Sequence, residues 1–461
     1  MSCLLSAAAC SPVGPDYQRP QIQSPEQFRN QGAKETASMA DTPWWEVFKD
    51  DGLKGLVNEA VQKNFDLRVA VQRVEIARAQ ARAAGVEILP QVSGVLAAGT
   101  GKGSLGMPSY TPPLHSTAYN AGFTLNWELD VWGRIRRSAE SAHANYLASE
   151  EARRGVWLTL LGDLGVAYFS LLTLDLKANV ARKNLQLRTD ILQVFQDRQQ
   201  GGVGSDLEVA RGEANQADAQ AILSDVERLI SLKENEVSLL LGRPPGAIAR
   251  SKALMVLAPE VPAGIPSTLL ERRPDVRQAE ARLMQANANI GVAKANFFPR
   301  FSLTGALGGV TNDLASMSTN TWGVYGISGG VDWLTPLLNG SKLNRALEGA
   351  KAEWEASKAL YERAAFSAFK EVADALVTIQ KLREQRVFRE RQVNALIRAV
   401  DTSRTRFQGG TANYLDVLNA VEALLPAQLN FAQIQGDQLG ALVQLYRALG
   451  GGWNALDGKA K

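Results

Sequence analysis

Two hydrophobic periods alternate along this chain, and the alternation happens twice. From Asp66 the apolar and small positions recur at helical spacing through an Ala- and Arg-rich segment, and after Pro90 the period drops to two. From Asp275 the same switch occurs, now at Pro299. Set on one another without a gap, the stretches share Asp66/Asp275, Arg68/Arg277, Arg73/Arg282, Ala84/Ala293, Pro90/Pro299 and Ser93/Ser302. Each copy predicts a helix capped by its aspartate, ended by a proline that turns the preceding residue towards extended geometry.

Each junction predicts a hairpin. The first has a weak, Gly-rich strand at 91–100 and a strong one at 119–129, where Tyr119, Phe123, Leu125 and Trp127 alternate with small and polar residues. The second has strands at 300–309 and 322–333, with Phe301, Leu303 and Leu307 on one face of the former, and Tyr325, Ile327, Val331 and Trp333 on one face of the latter. Helical spacing then resumes without a proline from Gly133 to Gly201, a segment that as one helix would reach roughly 100 Å. A Gly-rich break precedes a returning helix that starts at a cap, Ser205 or Asp206, and stops at Leu241. The second copy repeats this from Gly340 to Phe407, turns at Gly409-Gly410 and returns over 413–449, where Pro426 predicts a bend.

The order of segments is therefore a lipoprotein-signal remnant at 1–10, an extended Pro-, Gln- and Ser-rich tether at 11–43, a first repeat at 44–242, a Pro-rich linker at 243–266, a second repeat at 267–453 and a tail at 454–461. Trp44, Trp45 and Phe48 anchor the first helix. Small residues directly precede Cys10, as in a bacterial lipoprotein signal, and Cys10 is the expected lipidation site; the alternative is an ordinary N-terminus.

Composition narrows the function classes. A net charge of +3 over 461 residues gives no electrostatic case for nucleic acid. No run of 18 apolar residues predicts a transmembrane helix, which leaves a membrane barrel open. Cys3 and Cys10 are the two cysteines, so neither a disulfide framework nor a thiolate metal site is expected. His115 and His143 have no clustered ligands, and no phosphate loop, nucleophile elbow or dinucleotide fingerprint occurs. No metal, cofactor or catalytic residue is expected.

Four strands cannot close a barrel, and open sheet edges are not tolerated in lipid. If the apolar face meets a bilayer, several chains must share one barrel, with Trp127, Trp322 and Trp333 as an interfacial girdle. The alternative is a sheet packed on its own helices in a soluble protein.

Several strings go beyond pattern. They are Pro15-Asp16-Tyr17-Gln18-Arg19-Pro20, the run from Ile265 to Asp275 with its Arg272-Arg273-Pro274-Asp275, Asn296-Phe297-Phe298-Pro299, Trp127-Glu128-Leu129-Asp130 and Ala448-Leu449-Gly450-Gly451-Gly452-Trp453. Together they make the chain resemble the TolC-like outer membrane factors, most of all the OprM-type lipoproteins of drug efflux pumps. The resemblance implies a mainly α chain with a membrane β part: two tandem repeats whose long helices form a periplasmic α-barrel, and four strands given to a trimeric twelve-stranded β-barrel. It implies a homotrimer anchored in outer membrane lipid, a periplasmic membrane-fusion adaptor and an inner-membrane transporter as partners, and a passive exit duct for drugs or other small molecules. A duct for protein secretion and a soluble periplasmic coiled-coil adaptor are the rival readings.

The resemblance also assigns sites. The turns Gly202-Val203-Gly204-Ser205 and Gly410-Thr411-Ala412-Asn413 match where the family meets its adaptor. Leu415 matches the family's gate leucine, whereas the gate aspartate one helical turn later is Asn419 here, so the resemblance does not extend to a carboxylate ring at that level. Asp416, Asp206, Leu207 and Arg211 stand near the same end as candidate gate contacts; the alternative for each polar one is ordinary capping or solvated helix charge.

Overall fold

The computed structural model describes residues 12–28, 45, 48, 50–101, 116–251, 266–311, 313, 315 and 324–451. The first copy builds α1 (Asp51–Lys63), α2 (Phe65–Val86), β1 (Gln91–Gly101), β2 (Ser116–Leu129), α3 (Arg134–Gln200) and α4 (Asp206–Leu240). The second builds α5 (Pro266–Arg272), α6 (Pro274–Ala295), β3 (Arg300–Thr311), β4 (Val324–Asp332), α7 (Leu334–Leu338), α8 (Gly340–Gln408) and α9 (Tyr414–Ala448). α9 runs through Pro426 as one helix. The chain divides into two compact units, and each draws on both copies: Met1–Gln21, Gln72–Glu150 and Gln278–Arg363 make one, and Ile22–Val71, Glu151–Arg277 and Ala364–Lys461 the other.

In the first unit the strands form one antiparallel sheet in the order β1-β2-β3-β4. The register pairs Gln91 with Asn126, Phe123 with Leu307, and Leu307 with Tyr325. Gly122 and Gly308 face each other so closely that a Cβ on Gly308 would lie 2.4 Å from the Ala121 carbonyl oxygen, which explains two glycines mid-strand. An extended strap over residues 12–20 lies on this unit. The Val13 N–H donates to the Trp132 carbonyl, the Asn287 amide donates to the Pro15 carbonyl, and the buried Arg137 guanidinium donates to Asp16 at 2.7 Å.

The second unit holds the larger apolar core. Leu53, Val57 and Ala60 of α1 meet Leu161, Leu164, Tyr168 and Leu171 of α3 and Leu442, Val443 and Tyr446 of α9. Phe48 packs on Phe169 with ring centroids 4.8 Å apart. One window of α3 is long and apolar enough to cross a membrane by composition, but most of it is buried inside the protein.

The duplication predicted Asp66 and Asp275 as helix caps, and the structure corrects this: both lie inside the first turn. The cap of α2 is Asn64, whose side-chain oxygen accepts from the Leu67 N–H at 2.9 Å. A carboxylate one position further in still favours the positive end of the helix dipole. The buried Asn64 also donates to the Leu240 carbonyl at the end of α4, at 2.9 Å. In the second copy Arg273 takes that position. Its guanidinium donates to the Ala448 carbonyl at the end of α9 (2.9 Å), to both oxygens of Asp275 (2.9 and 2.7 Å) and to Glu371 (2.6 Å). The Arg-Arg-Pro-Asp string is thus a structural tie, made once with an amide and once with a guanidinium. Gly242 and Gly450, both at positive φ, let the end of each returning helix settle against the backbone of these junctions.

Candidate functional site

Cross-strand partners in an antiparallel sheet share a face, so the register sorts the strands into two surfaces. One carries Val92 and Leu96, then Phe123 and Leu125, then Leu303 and Leu307, then Tyr325 and Ile327. The other carries Ser93, Asn120, Thr124, Asn126, Thr304 and Ser328. The apolar surface is uncovered: Leu96 is 80% exposed and Tyr325 and Ile327 are each 84% exposed. A sheet packed on its own helices is therefore not what the chain makes. The weak strand joins this surface, and β1 and β4 are edges of the sheet.

Aromatic side chains gather where the sheet meets the helices. Trp127 donates its indole N–H to the Ile88 carbonyl at 2.9 Å, and Trp333, just past β4, is exposed. Trp322, the third expected girdle residue, lies outside the described residues, as does Cys10. Trp132 was not singled out by the sequence; it stacks on Phe298 at 4.7 Å and donates to the Pro299 carbonyl at 2.8 Å. Asp130 accepts from the Ile135 and Arg136 N–H groups at the start of α3, and Arg134 pairs with both oxygens of Glu128 at 2.8 and 2.9 Å. These contacts fix the strand-to-helix corner.

In the second unit the two turns share one geometry. Gly202 (φ 75°) and Gly410 (φ 72°) are left-handed, which an L side chain resists. After each, an N–H reaches back five residues: Val203 to the Arg198 carbonyl at 3.0 Å, and Thr411 to that of Arg406 at 2.9 Å. Ser205, not Asp206, caps α4, in a reciprocal pair with Glu208; Asp206 instead accepts from Gln199 at 2.6 Å. Asn413 caps α9 through the Leu415 N–H at 3.4 Å. Ser205 and Asn413 therefore have structural work in their turns, while Val203, Gly204, Thr411 and Ala412 make up the rest of them.

The candidate gate residues all point outward from the single chain. Leu207 is 60% and Leu415 49% exposed, and Arg211, Asp416 and Asn419 are exposed as well. Leu415 and Asn419 share a helix face four residues apart. Among the described residues no hydrogen bond or ion pair joins these side chains to one another. What holds the turns together is a cluster absent from the sequence reading. Tyr414, next to Leu415, packs edge-on against Phe195 of α3 at 4.4 Å and meets Phe407 of α8 at 5.7 Å, and Arg198 lies over the Phe407 ring. Burial raises the Tyr414 phenol pKa, Glu422 and Glu208 add to the rise, and Arg188 and Arg211 oppose it. Phe407 just before the second turn and Tyr414 just after it were the available signal. Gly212 completes the arrangement, since a Cβ there would lie 2.9 Å from Leu192 and 3.0 Å from Phe195.

Comparison with known proteins agrees over nearly the whole length. The family model described as outer membrane efflux protein matches residues 56–243 and 265–451, one match per copy. The solvent efflux pump outer membrane protein SrpC of Pseudomonas putida is 34% identical over 98% of both chains. The cation efflux system protein CusC of Escherichia coli O6:H1 is 33% identical over 97% of both. Among solved structures, the outer-membrane channel OprN superposes with a TM-score of 0.86 at 31% identity, covering 96% of this chain and 99% of that one.

Proposed function

This chain belongs to the outer membrane efflux protein family, and from that premise we propose that three copies close one twelve-stranded barrel continued by a tube of long helices. It is an outer membrane channel of an efflux system and a transport protein. The observation that carries the trimer is the sheet itself. Its apolar face is exposed across all four strands, and β1 and β4 leave backbone groups at two edges that lipid would leave unsatisfied. Pairing β4 of one copy with β1 of the next removes every edge.

The duct does passive work: solute moves through, and an inner-membrane transporter joined by a periplasmic adaptor supplies the energy. The turns at Gly202–Ser205 and Gly410–Asn413 are the adaptor contacts of this reading, with Val203 the exposed apolar residue among them. Leu415 is the gate, one copy per chain around the axis. Asn419 makes the level above it uncharged, so this duct holds no carboxylate ring there. Relatives named for solvents and for cations share the architecture, and the polar face of this sheet bears neutral hydroxyls and amides along most of its length. That suits small molecules without regard to their charge. Cys10 is the lipid anchor, two residues before the strap that begins at Pro12.

Reconstitution of the purified protein into planar bilayers tests the channel. Discrete conductance steps support it, and membranes that stay silent at all protein concentrations overturn it. A gate ring is a two-state element that a partner opens only by binding the open form more tightly. Replacing Leu415 with alanine is therefore expected to raise single-channel conductance, and unchanged steps would remove Leu415 from the gate.

A further inference from the structure

The second unit contains a cleft that neither the gate residues nor the turns touch. Its volume is about 500 Å³, in the range of small-molecule sites, and three helices of one chain line it. α3 supplies Val166, Thr173 and Leu174, α8 supplies Thr378 and Leu382, and α9 runs along the cleft with Gly436, Gly440 and Ala441. The Gln438 amide of α9 donates to the Leu382 carbonyl of α8 at 3.1 Å, which holds that wall in place.

The two glycines differ in their reason for being there. Both lie inside α9, where glycine is less favourable than alanine. Gly436 has a packing reason, since a Cβ there would lie 1.8 Å from the Thr173 hydroxyl oxygen. Gly440 has none: a Cβ there would meet nothing within 4 Å. What Gly440 preserves is room in the cleft.

The cleft also has a stripe of α9 to itself. Leu439, Leu442, Val443 and Tyr446 belong to the core shared with α1. Gln433, Asp437, Gly440 and Gln444 recur at helical spacing along a different face, and all four line the cleft. α1 covers the other side of α9, so in a tube of long helices this face is turned to the lumen. On it the Gln433 amide donates to Asp437 Oδ1 at 2.7 Å, and Lys177 donates to Gln433 Oε1 at 2.6 Å. Among the described residues Asp437 Oδ2 has no hydrogen bond and Asp437 no ion pair, with Lys177 or any other cation. A half-buried carboxylate with one oxygen free, set beside apolar walls, favours a cationic N–H donor carried on an apolar body.

We propose that this cleft is a resting site for an amphipathic organic cation in transit, its apolar body on Leu174, Leu382 and Ala441 and its charged end on Asp437. The proposal rests on the channel reading and deepens it by naming a solute class and the place that holds it.

The test is binding of ethidium, a permanently charged aromatic cation with N–H donors, to the purified protein in detergent, read by fluorescence anisotropy. The natural protein is expected to bind it saturably, one molecule per chain. Asp437→Asn keeps the shape and removes the charge, and is expected to weaken binding about tenfold, the loss of one charge-assisted hydrogen bond. Gly440→Leu is expected to abolish binding by filling the cleft; should that variant fail to fold, Asp437→Asn decides alone. Ethidium that does not bind saturably, an affinity unchanged by Asp437→Asn or by a folded Gly440→Leu, or equal binding of the anion fluorescein overturns the proposal. Binding is read without a membrane, so the two readings fail separately. A protein that conducts in bilayers but binds no ethidium loses the cleft, and one that binds ethidium but never conducts loses the channel.

Discussion

An arginine placed on the apolar face of the sheet should prevent assembly, and an arginine one residue further along should not. Ile327 is 84% exposed and shares a face with Leu125 and Val92 through its partner Gly305. Leu125 is four residues from the end of β2 at Leu129. At about 3.4 Å per residue that is roughly 14 Å from the helix-bearing end of the sheet, near the middle of an apolar band about 25 Å tall. An arginine on the lipid face at that depth costs about 2–4 kcal/mol per chain, so three copies in one barrel multiply the penalty. Ser328 faces the other way, among Thr304 and Asn126, and an arginine there meets water in the lumen at little cost. The assay is the yield of heat-modifiable oligomer in isolated outer membranes for Ile327→Arg and Ser328→Arg, expressed equally. Loss of oligomer for the first and near-normal yield for the second is expected. Normal assembly of Ile327→Arg, or failure of Ser328→Arg alone, would mean that the faces have been assigned the wrong way round.

Three further outcomes follow from the second unit. Gly242→Ala should destabilise far more than Gly410→Ala: both glycines have positive φ, costing about 1–2 kcal/mol for any L side chain, but a Cβ on Gly242 would lie 2.3 Å from the Lys63 carbonyl oxygen while Gly410 has open space; thermal melting of the two variants in detergent checks this. Asn64→Ala should lower stability by about 1–3 kcal/mol, because the Leu240 carbonyl loses its donor beside a buried site; a melting temperature equal to that of the natural protein would show that the tie carries no weight. Burial and the hydrogen bond to Asp50 push the Tyr168 phenol up to about 12 from 10.0. Its folded pKa is raised, so its contribution is complete below pH 10 and is lost as pH rises through about 12; helicity followed by circular dichroism should fall less steeply across that window in Tyr168→Phe than in the natural protein.

The sequence made the four strands and the long helices legible because each has an unbroken period and hard stops: Pro90 and Pro299 before the strands, Gly202 and Gly410 at the turns. The apolar face was readable from β2, β3 and β4, yet β1 joined it only through pairing, since Val92 and Leu96 are too sparse among glycine and alanine to announce a face. The caps were misread because Asp66 and Asp275 coincide in the alignment, while Asn64 and Arg273, two residues before them, differ in type: both tie the junction to the end of a returning helix, but only Asn64 accepts from a helix N–H. The Tyr414 cluster draws Phe195, Phe407 and Tyr414 from three helices, and no local pattern links residues so far apart. Leu415 was singled out by resemblance; its exposure fits a role that needs neighbouring copies, as does the outward position of Asn419 and Leu207.

The central claim is that one chain leaves two sheet edges which only other copies can satisfy. Native mass spectrometry of the protein released from detergent measures this directly. The account predicts three chains per particle and none soluble once detergent is withdrawn. A single chain, stable and soluble without detergent, would contradict it.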